Sequence, residues 1–213
     1  MNKNKKMTKM KNNNNIEYRS FELRYDNENE GSRLISGLAI PVESRSQLLG
    51  GKFYETIIRS AISEDLILNN DVRLFVDHIP ERGTLARSKY GKGSLRLYIE
   101  DDGLHFETEL PSTPLGEEIL NGIKRGDYDC MSFGFYCGDD EWEANADGTY
   151  NRRILSIDKL VEISCLSQSP AYLATDVALR SLEDFKQSEE DKKSQIIAKL
   201  DAQLNEINDL CKI

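Results

Sequence analysis

Three residues of this sequence are of the types that hydrolytic chemistry needs. Ser132 lies in "YDCMSFGFY", Tyr128 to Tyr136. Read as a strand, this segment puts Met131, Phe133 and Phe135 on one face and Cys130, Ser132, Gly134 and Tyr136 on the other. The first is a core face. The second leaves room around the serine hydroxyl, because Gly134 has no side chain and Cys130 a small one, so that another group can approach. A hydroxyl becomes a nucleophile when a base removes its proton, and imidazole is the usual base. His78 ends "DVRLFVDH", where a strand gives way to a turn before Pro80, a common place for site residues. His105, in "GLHFETEL", alternates with Glu107 and Glu109 on a solvated face, so His78 is the better-placed base. A carboxylate would orient the imidazole. Glu162 interrupts the apolar "LVEISCLS" and would be costly there unpaired, so it needs a partner, either an arginine or a histidine. Asp158, Asp129 and Asp77 are lesser candidates for the acid, and Cys130, two residues from Ser132 on the same face, is an alternative nucleophile.

The elements that must carry these residues read mainly as strands. From Ile16 to about Ser181, "YRSFELRY", "SRLISGLAIPV", "VRLFVDH", "TLARSKY", "SLRLYIE" and "LHFETEL" follow at short intervals, which predicts a closed or nearly closed antiparallel sheet. "EDDG", Glu100 to Gly103, is a hairpin turn, and "NADGTY", Asn145 to Tyr150, is the tip of a second hairpin joining "SFGFYCGDDEWEA" to "NRRILSIDKLVEISCLS". "TPLGEEILNGIKRG" is a helix. Thr113 caps it, Pro114 suits its first position, Glu117 and Glu118 sit near its positive end, and Gly126 stops it. A shorter helix is predicted within "IIRSAI" or "ISEDLILNN". Residues 1–15 are Lys- and Asn-rich with almost nothing to bury, a disordered basic tail; residues 16–181 form the main domain; residues 182–213 form a helical tail. In that tail Ile197, Leu200, Leu204, Ile207 and Cys211 recur at three-and-four spacing, an amphipathic stripe suited to packing on the domain, to pairing with a second copy, or to binding a partner helix.

Composition narrows the class. With 28 basic and 37 acidic residues among 213, the formal net charge is −9, which argues against a nucleic-acid partner. The four cysteines have no CxxC spacing and only two histidines accompany them, so no metal or other cofactor is expected and reduced thiols fit best. No apolar run is long enough to span a bilayer, and no apolar segment follows the N-terminal lysines, so neither a membrane protein nor a secreted one is expected.

Taken in order, these features carry a resemblance. "DVRLFVDHIPERGTLARSKYGKGSLRLYIEDDGLHFETELPSTPLGEEILNGIKRGDYDCMSFGFYC" resembles the core of the prohead (procapsid) maturation serine proteases of tailed bacteriophages, the HK97-type family, related in fold to the herpesvirus assembly proteases. A histidine follows a hydrophobic strand, and then come a glycine-bearing segment, "L-x-L-x-x-x-x-x-G-L-x-F", a helix and "S-F-G-F". Upstream, "GLAIPVESRSQLLGGKFYETIIRSAI" is similar to the family's opening segment, with Phe53, Glu55 and Ala61 in the expected places. Downstream, "LVEISCLSQSPAYLATDV" resembles its closing "E-x-S-x-x-x-x-P-A". The likeness covers about Ile16 to Arg180.

The resemblance implies an α+β, mainly β fold, an antiparallel β-barrel flanked by helices, with the amphipathic helix appended. It implies a serine endopeptidase with Ser132 as nucleophile, His78 as general base and Glu162 as third member; one related branch uses a second histidine, which keeps His105 in view. Oxyanion donors would be backbone N–H groups near Phe133 or in the segment of Arg152 and Arg153. The implied substrates are the scaffold and the scaffold-like part of the major capsid protein precursor, and the chain itself. The place of action would be the interior of the assembling procapsid in the host cytoplasm, with homo-oligomers admissible. A catalytically silent assembly protein of the same fold is the competing reading. Two departures stand out: the family often has an asparagine before the histidine and a small apolar residue before the serine, where this chain has Asp77 and Met131.

Overall fold

The computed structural model describes residues 16–22, 32–168 and 176–210. The basic tail 1–15, Cys211 and the Pro170–Ala171 end of the closing motif lie outside the described residues. The chain divides into two compact units, one up to Thr175 and one from Asp176.

In the first unit the strands form three sheets. A six-stranded sheet has the order β1 (Glu17–Glu22), β9 (Cys130–Cys137), β12 (Ile157–Leu166), β4 (Asp71–Val76), β5 (Ala86–Lys89) and β6 (Lys92–Gly93). A second sheet joins β10 (Asp140–Ala144), β11 (Tyr150–Ile154) and β3 (Phe53–Ile57), and a third joins β2 (Leu34–Pro41), β8 (Gly103–Glu109) and β7 (Arg96–Glu100). One hydrophobic core serves them. Leu74, Val76, Met131, Phe133, Phe135 and Ile163 from the first sheet meet Ile40, Leu104 and Phe106 from the third, together with Ile119, Leu120 and Ile123 of helix α2 (Pro114–Arg125).

The local chemistry of α2 is the one expected. The Thr113 hydroxyl accepts from the Gly116 N–H at 3.2 Å, Pro114 opens the first turn, and Gly126 ends the helix in the left-handed region at φ 81°. The shorter helix α1 spans Glu64–Leu68. The hairpin at Glu100 to Gly103 joins β7 to β8, and a Cβ on Gly103 would lie 1.9 Å from the Ile40 carbonyl oxygen, so only glycine fits that turn.

The sheet arrangement differs from the expected one in two ways. Fold class is mixed α+β and mainly strands, but the ladders among the described residues stay in three sheets rather than closing into one antiparallel barrel. Two pairings, β12 with β4 and β11 with β3, are parallel. The hairpin at Asn145 to Gly148 forms, yet the long strands on either side are each broken. β9 and β10 part at Gly138, where a Cβ would stand 2.3 Å from Asp158 Oδ1 and from Ser156 Oγ, and the halves enter different sheets. Parallel neighbours on widely separated segments leave no local signature in the sequence.

In the second unit the helix predicted from Leu182 spans Asp176–Leu210 as α3. Ile197, Leu200, Leu204 and Ile207 form an exposed apolar stripe along it. No helix among the described residues is long and apolar enough to cross a membrane.

Candidate active site

Strand β9 sits between β1 and β12, and its alternation sorts its side chains as expected. Met131, Phe133 and Phe135 are buried in the core, while Ser132 and Gly134 face the other way. Ser132 stands opposite Ser164 of β12 and Ser20 of β1, and Gly134 stands opposite Glu162 and Tyr18. Four strand positions therefore bring Ser132, Glu162, Ser164 and Tyr18 to one face.

Glu162 reaches that face through a bulge. Leu160 pairs with Phe135 but Glu162 pairs with Gly134, so two steps along β12 match one along β9 and Val161 is the extra residue. Without the bulge, alternation from Leu160 would aim Glu162 into the core. Instead its carboxylate, nearly enclosed, accepts a hydrogen bond from His78 Nδ1 through Oε1 and one from the Ser164 hydroxyl through Oε2 at 2.6 Å. The expected partner for this buried acid is thus a histidine and not an arginine. Because a carboxylate only accepts, Nδ1 carries the hydrogen, which leaves Nε2 as the basic nitrogen of neutral imidazole.

His78 arrives from the end of β4 by a sharp turn. Ile79 N–H donates to the Val76 carbonyl at 3.0 Å, and the two residues between, Asp77 and His78, have φ of 53° and 59°. Left-handed backbone costs a residue with a side chain about 1–2 kcal/mol, least for Asn and Asp. Asp77 is therefore a chemically sound replacement for the asparagine of the resemblance. Its carboxylate also holds the turn, accepting from the Ser167 N–H at 2.7 Å, from the Ser167 hydroxyl at 2.9 Å and from Arg82 at 3.0 Å. The turn folds the imidazole back over Glu162, where the Tyr18 ring lies against it with centroids 4.3 Å apart.

Ser132 Oγ is buried and has no hydrogen-bond partner among the described residues. The histidine and the acid are in contact, and the serine lies on the same face one strand away without a direct bond to His78. A buried hydroxyl left unpaired costs about 1–3 kcal/mol; Ser88 Oγ on β5 is in the same state, so what sets Ser132 apart is the His78–Glu162 pair on its face of the sheet.

The remaining candidates fall elsewhere. His105 is in the third sheet, where Nε2 pairs with Asp102 at 2.6 Å and the ring stacks on Tyr98. Cys130 is one rung further from Glu162 than Ser132 is, opposite Leu166. Asp158 and Asp129 make no contact with His78 among the described residues.

Arg152 and Arg153 are on β11, in a different sheet from Ser132. Arg153 pairs with Glu141 on the surface. Arg152 is enclosed in a cluster that sequence inspection missed: its guanidinium donates to Glu17 at 2.6 and 3.0 Å, Glu55 at 2.9 Å and Asp140 at 2.9 Å. Arg19 binds the same Glu55 at 2.5 and 2.6 Å and Glu17 at 3.0 Å. The backbone N–H groups of this segment, expected as oxyanion donors, lie in a different sheet from Ser132, within the ladders that flank β11. Phe133 N–H lies within the ladders that flank β9.

A serine, a histidine and a buried carboxylate on one sheet face are the residue types of acyl-transfer chemistry, on a mainly β domain. The family model described as Caudovirus prohead serine protease matches residues 19–188, and the chain belongs to that family, whose members are peptidases acting in capsid maturation. Among solved structures, the bacteriophage T4 capsid assembly protease gp21 is similar, with a TM-score of 0.44 and 7% identity over 71% of this chain and 96% of that one. No curated protein matches the chain.

Proposed function

We propose that Ser132, His78 and Glu162 are the catalytic triad of an endopeptidase that cuts the scaffold, or the scaffold-like region of the major capsid protein precursor, inside the assembling procapsid, and that it also cuts itself. The observation that carries this reading is the buried His78–Glu162 pair on the same sheet face as a buried serine hydroxyl that has no hydrogen-bond partner among the described residues. In the reaction, Ser132 Oγ attacks the peptide carbonyl carbon as His78 Nε2 takes its proton, and Glu162 stabilises the imidazolium through Nδ1–H. The tetrahedral intermediate collapses, the C–N bond breaks, and the amine leaves with the proton from Nε2. Water then attacks the acyl-enzyme with the same histidine as base, which releases the acid and restores the serine. The gap between Ser132 and His78 agrees with catalytic hydrogen bonds that tighten only when substrate is bound.

Co-expression of the unmodified chain, Ser132→Ala and His78→Ala with the capsid precursor tests this. Trimming by the unmodified chain alone is the expected result. Equal trimming by all three would overturn the triad, and intact procapsids from all three without any trimming would favour a silent assembly role.

A further inference from the structure

We propose that Tyr18 is a positioning residue for His78, so that the N-terminal strand is part of the catalytic apparatus. The proposal rests on the assignment of His78 as base. Tyr18 is on β1, separated from β4 by two intervening strands, yet its ring meets the imidazole at 4.3 Å with planes inclined by 58°. It gets there by crossing above Gly134, its partner in the ladder. A Cβ on Gly134 would lie 2.8 Å from Tyr18 Cε1 and 3.2 Å from Glu162 Oε1. The missing side chain is thus the space that the tyrosine ring and the carboxylate share.

The strand is fixed in the register that this contact needs. Glu17 and Arg19, on either side of Tyr18, point to the opposite face of β1 and enter the buried cluster with Glu55 and Arg152. A slip by one residue would exchange the faces, placing the ring among the carboxylates and the charges against His78. Tyr18 itself is only partly buried, so its packing contributes little to holding the domain together. What it does provide is a wall. With Nδ1 bonded to Glu162, the imidazole can still swing about that bond, and an aromatic face beside it limits the swing and attracts the positive charge that the ring acquires on taking the serine proton. Burial, and after it the negative Glu162, push the Tyr18 phenol up, which keeps the ring uncharged.

The test is the rate at which a fluorophosphonate labels Ser132 in the full chain, for Tyr18→Leu, Tyr18→Phe and Gly134→Ala, each also in a His78→Ala background. Tyr18→Leu should slow labelling about ten- to a hundredfold, Tyr18→Phe should stay within about threefold because the contact is through the ring, and the urea midpoints should be those of the unmodified chain. Gly134→Ala, whose Cβ would crowd both the Tyr18 ring and Glu162 Oε1, should slow labelling at least as much as Tyr18→Leu. In the His78→Ala background, Tyr18→Leu should cost nothing further, because the two residues then act through one. Unchanged labelling of both Tyr18→Leu and Gly134→Ala would overturn the proposal. So would an equal loss in the His78→Ala background, which marks a structural effect. Labelling of His78→Ala at the unmodified rate, or no labelling of the unmodified chain, strikes instead at the triad and takes this proposal with it.

Discussion

Strand β1 has one face in each of two buried polar assemblies, and they are built to different standards. On one side Glu17 and Arg19 join Glu55, Arg152 and Asp140, where three carboxylates face two guanidiniums and each guanidinium donates to at least two of them. On the other side Tyr18 abuts His78, Glu162 and Ser164, with Ser132 left unpaired. The first assembly has almost no chemical freedom. Its desolvation is offset by many short, mutually constraining ion pairs that tie β1, β3, β10 and β11 together. The second keeps a hydroxyl and a ring nitrogen available, which stability alone would not select. A fully satisfied cluster holds geometry; a partly satisfied one beside it is where chemistry can occur.

Substitutions should separate the two. The largest effect is expected for Ser132→Ala, which should lower peptide turnover by about four to six orders of magnitude while leaving the thermal midpoint unchanged or slightly raised, since it removes an unpaired buried hydroxyl. A clear fall in the midpoint would mean that Ser132 is structural. Glu162→Gln keeps the shape but loses the charge that stabilises the imidazolium, and by analogy with triad acids it should reduce kcat about 10³- to 10⁴-fold. Full activity in that variant would remove Glu162 from the triad. In the other assembly, Arg152→Met removes the guanidinium that Glu17, Glu55 and Asp140 share and leaves Arg19 alone to face Glu17 and Glu55. It should lower unfolding free energy in urea by about 3–5 kcal/mol, a large part of the 5–15 kcal/mol typical of a domain. A loss below about 1 kcal/mol would show that the cluster is not what holds β1.

Much of this contrast was legible in the sequence, and what was hidden has physical reasons. Alternation along "CMSFGFYC" assigned both faces of β9 correctly, and the cap, proline and stop glycine fixed α2. The misfit of Glu162 in an apolar strand announced a partner, and Gly134 announced a close approach. The sequence could not show that Val161 is bulged, because a bulge is a property of the pair of strands. Nor could it distinguish Arg152 from Arg153. Adjacent arginines look equally available, and only the convergence of β1, β3, β10 and β11 makes one a buried tie and the other a surface charge. Tyr18 escaped for the same reason: its contact with His78 spans sixty positions of sequence and depends on a strand order that no local pattern encodes.

The two assemblies should also part on acidification. Burial by itself raises Glu55, but Arg19 and Arg152 beside it outweigh burial and hold the carboxyl below its ordinary value of 4.5. The unfolded chain then takes up the proton first as pH falls. The stability that Glu55 contributes is complete above about pH 4.5 and is lost below it, as pH descends toward the lower folded value. The urea midpoint should accordingly hold level from neutrality to about pH 5 and drop beyond. A midpoint that rose on acidification would contradict the ion-paired state of the cluster.

The smallest effect, and the one that sharpens the comparison most, concerns Ser164. Its hydroxyl donates to the Glu162 oxygen that His78 does not use, at 2.6 Å and out of contact with solvent. Were Ser164 part of the holding apparatus alone, Ser164→Ala would lower stability by the value of a hydrogen bond to a charged group, about 1.5–3 kcal/mol, and leave kinetics alone. If instead the bond fixes the carboxylate plane that aims His78, kcat should also fall about tenfold with KM unchanged, since an orientation used only in the transition state is lost. We expect the second outcome, because the Val161 bulge turns Glu162 out of the core, where among the described residues these two bonds orient its carboxylate. Combining Ser164→Ala with Glu162→Gln decides the matter. A hydroxyl that acts only through Glu162 adds no further kinetic loss to the double variant, whereas independent losses that multiply would mean that Ser164 acts on the reaction by a route other than the Glu162 carboxylate.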